Sequence, residues 1–564
     1  MQADVIVIVV GAGLAGLVTA HELTSRGRKV ALIDQEGPAD LGGQAHWSFG
    51  GLFLVDSPEQ RRMGVKDSFE LAWSDWQGSA GFDRLAHPGD EDSRGVRWAR
   101  AYVEFAAGEK RSWLAGHGIR FLHTVGWAER GGLRADGHGN SVPRFHVAWG
   151  TGPAVVAPFV RSAHEAAAAG LLRFHHRHRV DELVVTDGVV HGVRDALLAE
   201  DPVPRGVATN RDRMGDFELT AQAVVVAGGG IGADHERVRR HWPEHLGTPP
   251  RHMATGVPAY VDGRMLDISA AAGARLVNRD RMWHYTEGLH NWDPVWPGHG
   301  IRILPGPSPL WLDALGRRLP DPCLPGHDTL ATLRHLRTTP DIAAYDHSWF
   351  VVTQKIIAKE FALSGSEQNP DITGKDLTAF LRTRLLGGSA APAPVEAFKR
   401  HGADFVVADT LAELIAGMNA LTEHPLLDTD LVRRQIEARD LQIANPFSKD
   451  AQIQGIHNAR RYRGDRLGRA AAPHRLLDPA TGPLIGVKLH VLTRKTLGGI
   501  QTDLDSRALA ADGTPVDGLY AAGEAAGFGG GGVHGHNALE GTFLGGCLLT
   551  GRQAGRAAAG AVGS

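Results

Sequence analysis

Cysteine is almost absent: Cys323 and Cys547 are the only two in a chain of 564 residues. Two thiols so far apart give neither a disulfide framework nor a cysteine-based metal site. The haem-attachment pattern Cys-x-x-Cys-His is missing as well, so any electrons must enter or leave through a diffusible partner. This cysteine usage suits a reducing cytoplasm. An excess of charge of one sign is also lacking. With 60 basic and 63 acidic residues the net charge is −3, which offers no grip on nucleic acid or an anionic membrane. No apolar run is long enough to span a bilayer. The apolar start from Asp4 to Ala20 lacks a basic flank and carries a glycine pattern, so it reads as the first strand of the fold. His-Glu-x-x-His, Gly-x-Ser-x-Gly and Gly-Lys-Thr/Ser motifs are missing, which excludes the zinc peptidase, nucleophile-elbow and phosphate-loop classes. The histidine run at His175, His176 and His178 has no metal-ligand spacing, and no metal is expected.

What is present is an ordinary globular composition, 43% hydrophobic and 22% charged. The length calls for two or three domains. Residues 4–34 read strand, glycine turn, helix, strand: Val5–Val10, Leu14–Arg26 and Val30–Asp34. Strands alternate over 172–195 around the turn Thr186-Asp187-Gly188, and Gln222–Ala227 is a further buried strand ahead of Gly228-Gly229-Gly230. Composition then shifts: 240–320 is dense in Trp, His and Pro, and 328–440 looks helical, with a hinge expected at 387–394. Residues 485–560 return to strand, glycine turn and final helix. We therefore expect a discontinuous first domain, 1–245 with 480–564, and an inserted second domain, 246–479.

Gly11-x-Gly13-x-x-Gly16 lets the backbone turn sharply and approach a pyrophosphate whose charge the following helix N-terminus favours. Leu14 and Ala15 open that helix. Asp34, with Gln35 beside it, closes the next strand, where a carboxylate can accept ribose hydroxyls. At the far end GLYAAGEAAG (518–527) leads into HGHNALEGTFLGG. A chain that begins a nucleotide site at one end and completes it at the other is the pattern of an FAD enzyme.

The ordered motifs resemble the flavoprotein family of fumarate reductase, succinate dehydrogenase and the ketosteroid dehydrogenases, over nearly the whole chain. The family's paired-glycine loop along the flavin is matched by Gly42-Gly43-Gln44 through Ser48 to Gly50-Gly51. Its adenine-side strand is matched at Val180, its Ala-Thr-Gly-Gly strand at Ala227-Gly228-Gly229, and its Thr-x-Gly-Gly turn at Thr496 to Gly499, including Gly498. Its Ala-Ala-Gly-Glu turn falls at Ala521 to Glu524, so Gly523 and Glu524 are implied at the ribitol chain. The closing motif runs from His534 to Leu544. The resemblance implies that Thr542, Phe543 and Leu544 bring a helix N-terminus to the flavin pyrimidine ring. It implies an α/β fold: a doubly wound, Rossmann-like FAD-binding domain with an inserted α+β capping domain.

Three departures redirect the chemistry. Gln44 stands where quinone-linked relatives tether FAD through histidine, and His46 comes two residues later, so FAD is expected to be non-covalent. Ala538 replaces the arginine that holds a substrate carboxylate, a costly loss for a dicarboxylate. Arg494-Lys495 replaces a common histidine. The motif His284-Tyr285-Thr286 matches the family's His-Pro-Thr with its proline replaced. The nearby Trp283, Trp292, Trp296 and Trp311 read as packing or as an aromatic wall. Expected activity is oxidation or reduction of a carbon–carbon bond next to a carbonyl, on a cyclic or apolar ketone, by hydride exchange with flavin N5. The candidates for holding the carbonyl or moving a proton are His284, Tyr285, Arg494, Lys495, His534 and His536. The alternatives are a soluble reductase of small unsaturated acids and a flavin-binding protein without turnover.

Overall fold

The computed structural model describes residues 6–87, 89–131, 139–385 and 390–563. Val5 and residues 387–389 of the expected hinge lie outside that set. In chain order, the elements that position the site are β1 (Val7–Val10), α1 (Leu14–Thr24), β2 (Val30–Asp34), β3 (Leu172–His176) and β4 (Ala223–Val226). They continue with β5 (Met282–His290), β6 (Gly300–Leu304), β7 (His347–Thr353), β8 (Leu484–Thr496), β9 (Pro515–Ala521) and α2 (Thr542–Ala561).

The first sheet has the order Arg507–Leu509, β9, β4, β1, β2, β3. All its pairings are parallel except at the Arg507–Leu509 edge. Both faces of β1 are covered, which is why its sequence is an unbroken run of Val and Ile. β9, from the last tenth of the chain, pairs with β4, so the two ends of the polypeptide share one sheet. α1 and α2 pack side by side in the same way. A Cβ on Gly551 would sit 2.5 Å from the Ala15 carbonyl oxygen, so glycine there lets the helices approach to backbone contact. Thr19 Oγ1 donates to the Gly551 carbonyl at 3.1 Å across the same contact.

The second sheet is built around β8, the longest strand, with the order Leu310–Leu312, β7, β8, β5, β6, Ala362–Leu363. Its hydrophobic cluster runs from Leu289 to Leu489 and includes Trp311, Trp349, Phe350, Ile356 and Leu414. Trp283, Trp296 and Trp311 are buried, whereas Trp292 is exposed. β5 meets β8 with breaks in register between Trp283 and His284 and between Tyr285 and Gly288. The short stretch between those breaks sets His284 opposite Thr493 and Tyr285 opposite Leu492.

The expected hairpin at Thr186-Asp187-Gly188 forms with Asp187 and Gly188 both at positive φ, 52° and 80°. Among the described residues no helix is long and apolar enough to cross a membrane.

Candidate functional site

A cavity lined by residues of both sheets lies between them. One part of its wall comes from the first sheet and the segments beside it: Gly11, Gly13, Leu14, Ala15, Asp34, Gln35, Gly43, Gln44, Ser48, Gly50, Ala227, Gly228 and Gly229, with Gly51 and Val180 from two small neighbouring sheets. Glu524, Phe543 and Leu544 arrive from the C-terminal end. Gly16, Gly42, Gly498, Gly523 and Thr542 stand behind this wall rather than in it.

The glycine turn is closed by geometry. Gly11 has φ +103°, and a Cβ there would lie 2.5 Å from the Ala227 carbonyl oxygen. The amide of Ala12 donates to Asp34 Oδ2 at 2.7 Å and the amide of Glu36 to Oδ1 at 2.9 Å. Asp34 therefore holds the turn as well as facing the cavity, and burial raises its carboxyl to about 6. On the opposite side α2 begins at Thr542 after Gly541 at φ +88°. Its first-turn amides have no partner within the helix and carry the positive end of its dipole. A dinucleotide fits such a space: two helix N-termini, backbone bare of Cβ atoms, and an acid at the end of β2.

Lys495 and Glu524 form a network with Gln44. Lys495 Nζ donates to Gln44 Oε1 at 2.9 Å, and Gln44 Nε2 donates to Glu524 Oε2 at 2.8 Å. The amide of Thr496 donates to Glu524 Oε1 at 2.8 Å. Burial lowers the Lys495 ammonium to about 8, against the opposing pull of Glu524.

The rest of the wall comes mainly from the second sheet: Tyr285, Arg302, Leu304, Ser364 and Arg494, with Phe49, Phe145 and Glu540. Tyr285 and Arg494 both face the cavity, and neither side chain has a hydrogen bond or ion pair among the described residues. Burial, helped by the charge of Glu540, raises the Tyr285 hydroxyl above its ordinary range, so it keeps its proton at neutral pH. Arg302 Cζ lies 3.9 Å from the Tyr285 ring centroid, a cation–π contact.

Arg302 is buried among three glutamates. Its Nη1 donates to Glu540 Oε1 at 2.7 Å, its Nη2 bonds Glu129, and its Nε is 3.9 Å from Glu287 Oε2. Burial raises both Glu129 and Glu287 toward the neutral acid.

The three candidate histidines stand elsewhere. His284 is on β5 but points away from the cavity; its ring lies 4.8 Å from Trp242, and neither ring nitrogen has a hydrogen-bond partner among the described residues. Burial lowers it to about 3. His534 Nε2 meets Thr542 Oγ1 at 2.9 Å with the ring stacked on Trp76, and burial lowers it to about 3. His536 Nε2 meets Asp83 Oδ2 at 2.9 Å. None of the three lines the cavity.

Arg302, Glu129, Glu287 and Glu540 were not singled out from the sequence. A signal was available: Arg302 interrupts Gly-Ile-Arg-Ile-Leu, and a charge in the middle of a fully buried strand is rarely without a partner.

Two sheets around a cavity lined from both chain ends, with two helix N-termini beside it, define a flavoprotein dehydrogenase. A family profile described as an FAD binding domain matches residues 6–544. A KsdD-like steroid dehydrogenase of Mycobacterium tuberculosis is 59% identical over 98% of this chain and 95% of its own length. Another from Mycolicibacterium smegmatis is 60% identical over 96% of each chain. The structure of 3-ketosteroid delta1-dehydrogenase from Sterolibacterium denitrificans, in complex with 1,4-androstadiene-3,17-dione, superposes with a TM-score of 0.64. It is 15% identical and covers 99% of both chains, a likeness of fold. The chain belongs to the FAD-binding-domain family and, within it, to the KsdD-like steroid dehydrogenases. It is an FAD-dependent oxidoreductase acting on CH–CH groups.

Proposed function

We propose that the enzyme dehydrogenates a 3-ketosteroid-type substrate at the carbon–carbon bond beside its ring ketone. The observation that carries this reading is a protonated tyrosine hydroxyl and a guanidinium, Tyr285 and Arg494, both facing one cavity with no hydrogen bond or ion pair to a described residue. The names of the relatives, which share more than half their residues with this chain, point to the same substrate class.

The charge inventory of the wall separates a ketone from a dicarboxylate. Arg179 and Arg264 are engaged with Asp181, and Arg302 with Glu129 and Glu540. Arg494 alone among the lining arginines is free of an ion pair to a described residue. Ala538, apolar and buried, adds nothing. A substrate with two carboxylates would bring two charges beside Glu540 and find one guanidinium, whereas a ketone needs only donors to one oxygen.

When bound, FAD supplies the hydride acceptor. The chain's own residues do the rest. Tyr285 O–H and the Arg494 guanidinium hold the ketone oxygen and stabilise the negative charge that grows there as the neighbouring C–H is broken. Glu540, its Oε1 fixed by Arg302, has a second oxygen without a hydrogen bond to a described residue and takes the proton. Burial raises Glu129 and Glu287 toward the neutral acid, which weakens their competition with Glu540 for the Arg302 charge. Phe49, Phe145, Leu304 and Phe543 supply an apolar wall for the remainder of a flat substrate. Residues 246–479 serve as the cap, and 1–245 with 480–564 as the nucleotide-holding part. Electrons leave to a diffusible acceptor, and the two free thiols suit a reducing cytoplasm.

The test is dye reduction with ketosteroids set against fumarate reduction with a reduced viologen. Ketosteroid-dependent reduction with negligible fumarate turnover is expected; rapid fumarate turnover would overturn the reading. Glu540→Gln should lower kcat about 10²- to 10⁴-fold, as expected for loss of a general base, with flavin content unchanged. Non-covalent attachment is supported by Gln44 lying on the cavity wall while His46 does not. Acid precipitation should therefore leave the yellow colour in the supernatant, and a yellow washed pellet would refute it.

A further inference from the structure

We propose that His290, Asp404 and His490 form a binding site for one divalent transition-metal ion of the Zn²⁺ class, on the second sheet where β5 and β8 meet. The three residues lie far apart in sequence: His290 ends β5, Asp404 precedes the strand Phe405–Ala408, and His490 is central in β8. Folding brings their ligand atoms within 4.8 Å of one another.

Charge is the first argument. Asp404 is 4% exposed, and no Lys or Arg pairs with it among the described residues; its ion-pair contacts are the two imidazoles. Lys488, the nearest cation along β8, is turned to the Leu421 carbonyl at 2.7 Å. A buried carboxylate whose ion-pair contacts among the described residues are two imidazoles is placed as metal ligands are, since buried charges are paired or coordinate metals and imidazole is the commonest metal ligand. Geometry is the second. His290 Nδ1 stands 3.3 Å from Asp404 Oδ2, long for a hydrogen bond but close to the ~3.3 Å between ligand atoms set by Zn–N bonds of about 2.0–2.1 Å in a tetrahedron. His490 Nε2 stands 2.9 Å from Asp404 Oδ1. The backbone amide of His290 donates to Asp404 Oδ2 at 2.8 Å and fixes the carboxylate's orientation, an outer contact of the kind that orients ligands. Donor chemistry is the third: two imidazoles and one carboxylate suit zinc and its neighbours rather than Mg²⁺ or Ca²⁺. The His290 side chain is 50% exposed, so water can complete the coordination.

The site is separate from the substrate cavity. His290 is five residues beyond Tyr285 on β5, about 16 Å along a strand at ~3.3 Å per residue. Its effect is on the frame. Strands β5 and β8, which carry Tyr285 and Arg494, lose register between Tyr285 and Gly288 and resume pairing at Gly288 and His490. An ion held there would pin both strands just past that irregularity.

The experiment uses chelator-stripped holoenzyme, titrated with Zn²⁺ and separately with Co²⁺. Metal content after gel filtration and the visible bands of four-coordinate Co²⁺ are followed. Wild type should take up one Zn²⁺ per chain, and the ion should raise its unfolding temperature. Asp404→Asn and His290→Ala should each bind at least about tenfold more weakly and lose the zinc-dependent rise. His290→Ala is the safer variant, because a half-exposed side chain can be removed without opening the core. No uptake by wild type at micromolar zinc, or equal uptake and equal stabilisation in the variants, would overturn the site.

Discussion

Replacing Tyr285 by Phe should lower kcat on a ketosteroid about 10²- to 10³-fold, the usual result of removing one oxyanion donor. The hydroxyl faces the cavity without a hydrogen-bond partner among the described residues, so it is available to substrate. Burial keeps it protonated, which makes it a donor rather than a base. A donor aimed at oxygen gains strength as charge accumulates there, so the loss falls on kcat more than on KM. Phenylalanine preserves the ring, and with it the cation–π contact to Arg302, so stability and flavin content should change little. Steady-state dye reduction, with the flavin spectrum as a check on loading, measures both. A Phe variant within twofold of wild type would show that the hydroxyl holds nothing that matters in the transition state. Arg494 is the matching control: Arg494→Lys keeps the charge but not the planar fork, and should retain more activity than Arg494→Met.

The nucleotide end of the site was legible because its requirements are local. Gly11, Gly13 and Gly16 occupy a turn where backbone conformation dictates residue type, and Asp34 closes the adjacent strand at fixed spacing. The C-terminal contribution was legible by resemblance, since Glu524, Phe543 and Leu544 belong to ordered motifs. The substrate end was not legible in the same way. His284 and Tyr285 are neighbours on one strand and point to opposite sides, and sequence alone does not say which side meets the cavity. Register does, and register is broken on both sides of the pair. The grouping of Arg302 with Glu129, Glu287 and Glu540 joins residues from four separate parts of the chain. It follows from tertiary packing, as does the approach of His290, Asp404 and His490. The fold class required less, because a buried parallel sheet imposes continuous apolar runs that β1 and β4 display.

Arg302→Met should produce the largest stability change, a loss of about 3–5 kcal/mol, as when one partner of a buried ion pair is removed. The methionine fills much of the volume, so the loss is electrostatic. Three carboxyls remain in a dry interior with no guanidinium to meet them. Their response to pH separates this mechanism from simple misfit. Burial raises Glu129 and Glu287 above the ordinary carboxylate range in the folded protein. A group raised in this way contributes stability that is complete below its unfolded value and is lost as pH climbs through its folded value. Without Arg302 both values rise further, because the attraction that lowers them is gone. The variant's deficit against wild type should therefore widen from about pH 5 to about pH 8 and shrink on acidification. Thermal unfolding across that range, with flavin fluorescence as a second probe, tests it. Adding Glu129→Gln to Arg302→Met removes one of the stranded acids, so the double variant should recover part of the loss at the alkaline end, the non-additivity expected of residues in contact. A deficit independent of pH, unchanged by the second substitution, would mean that Arg302 stabilises the fold by packing and that its charge is not what holds Glu540 in place.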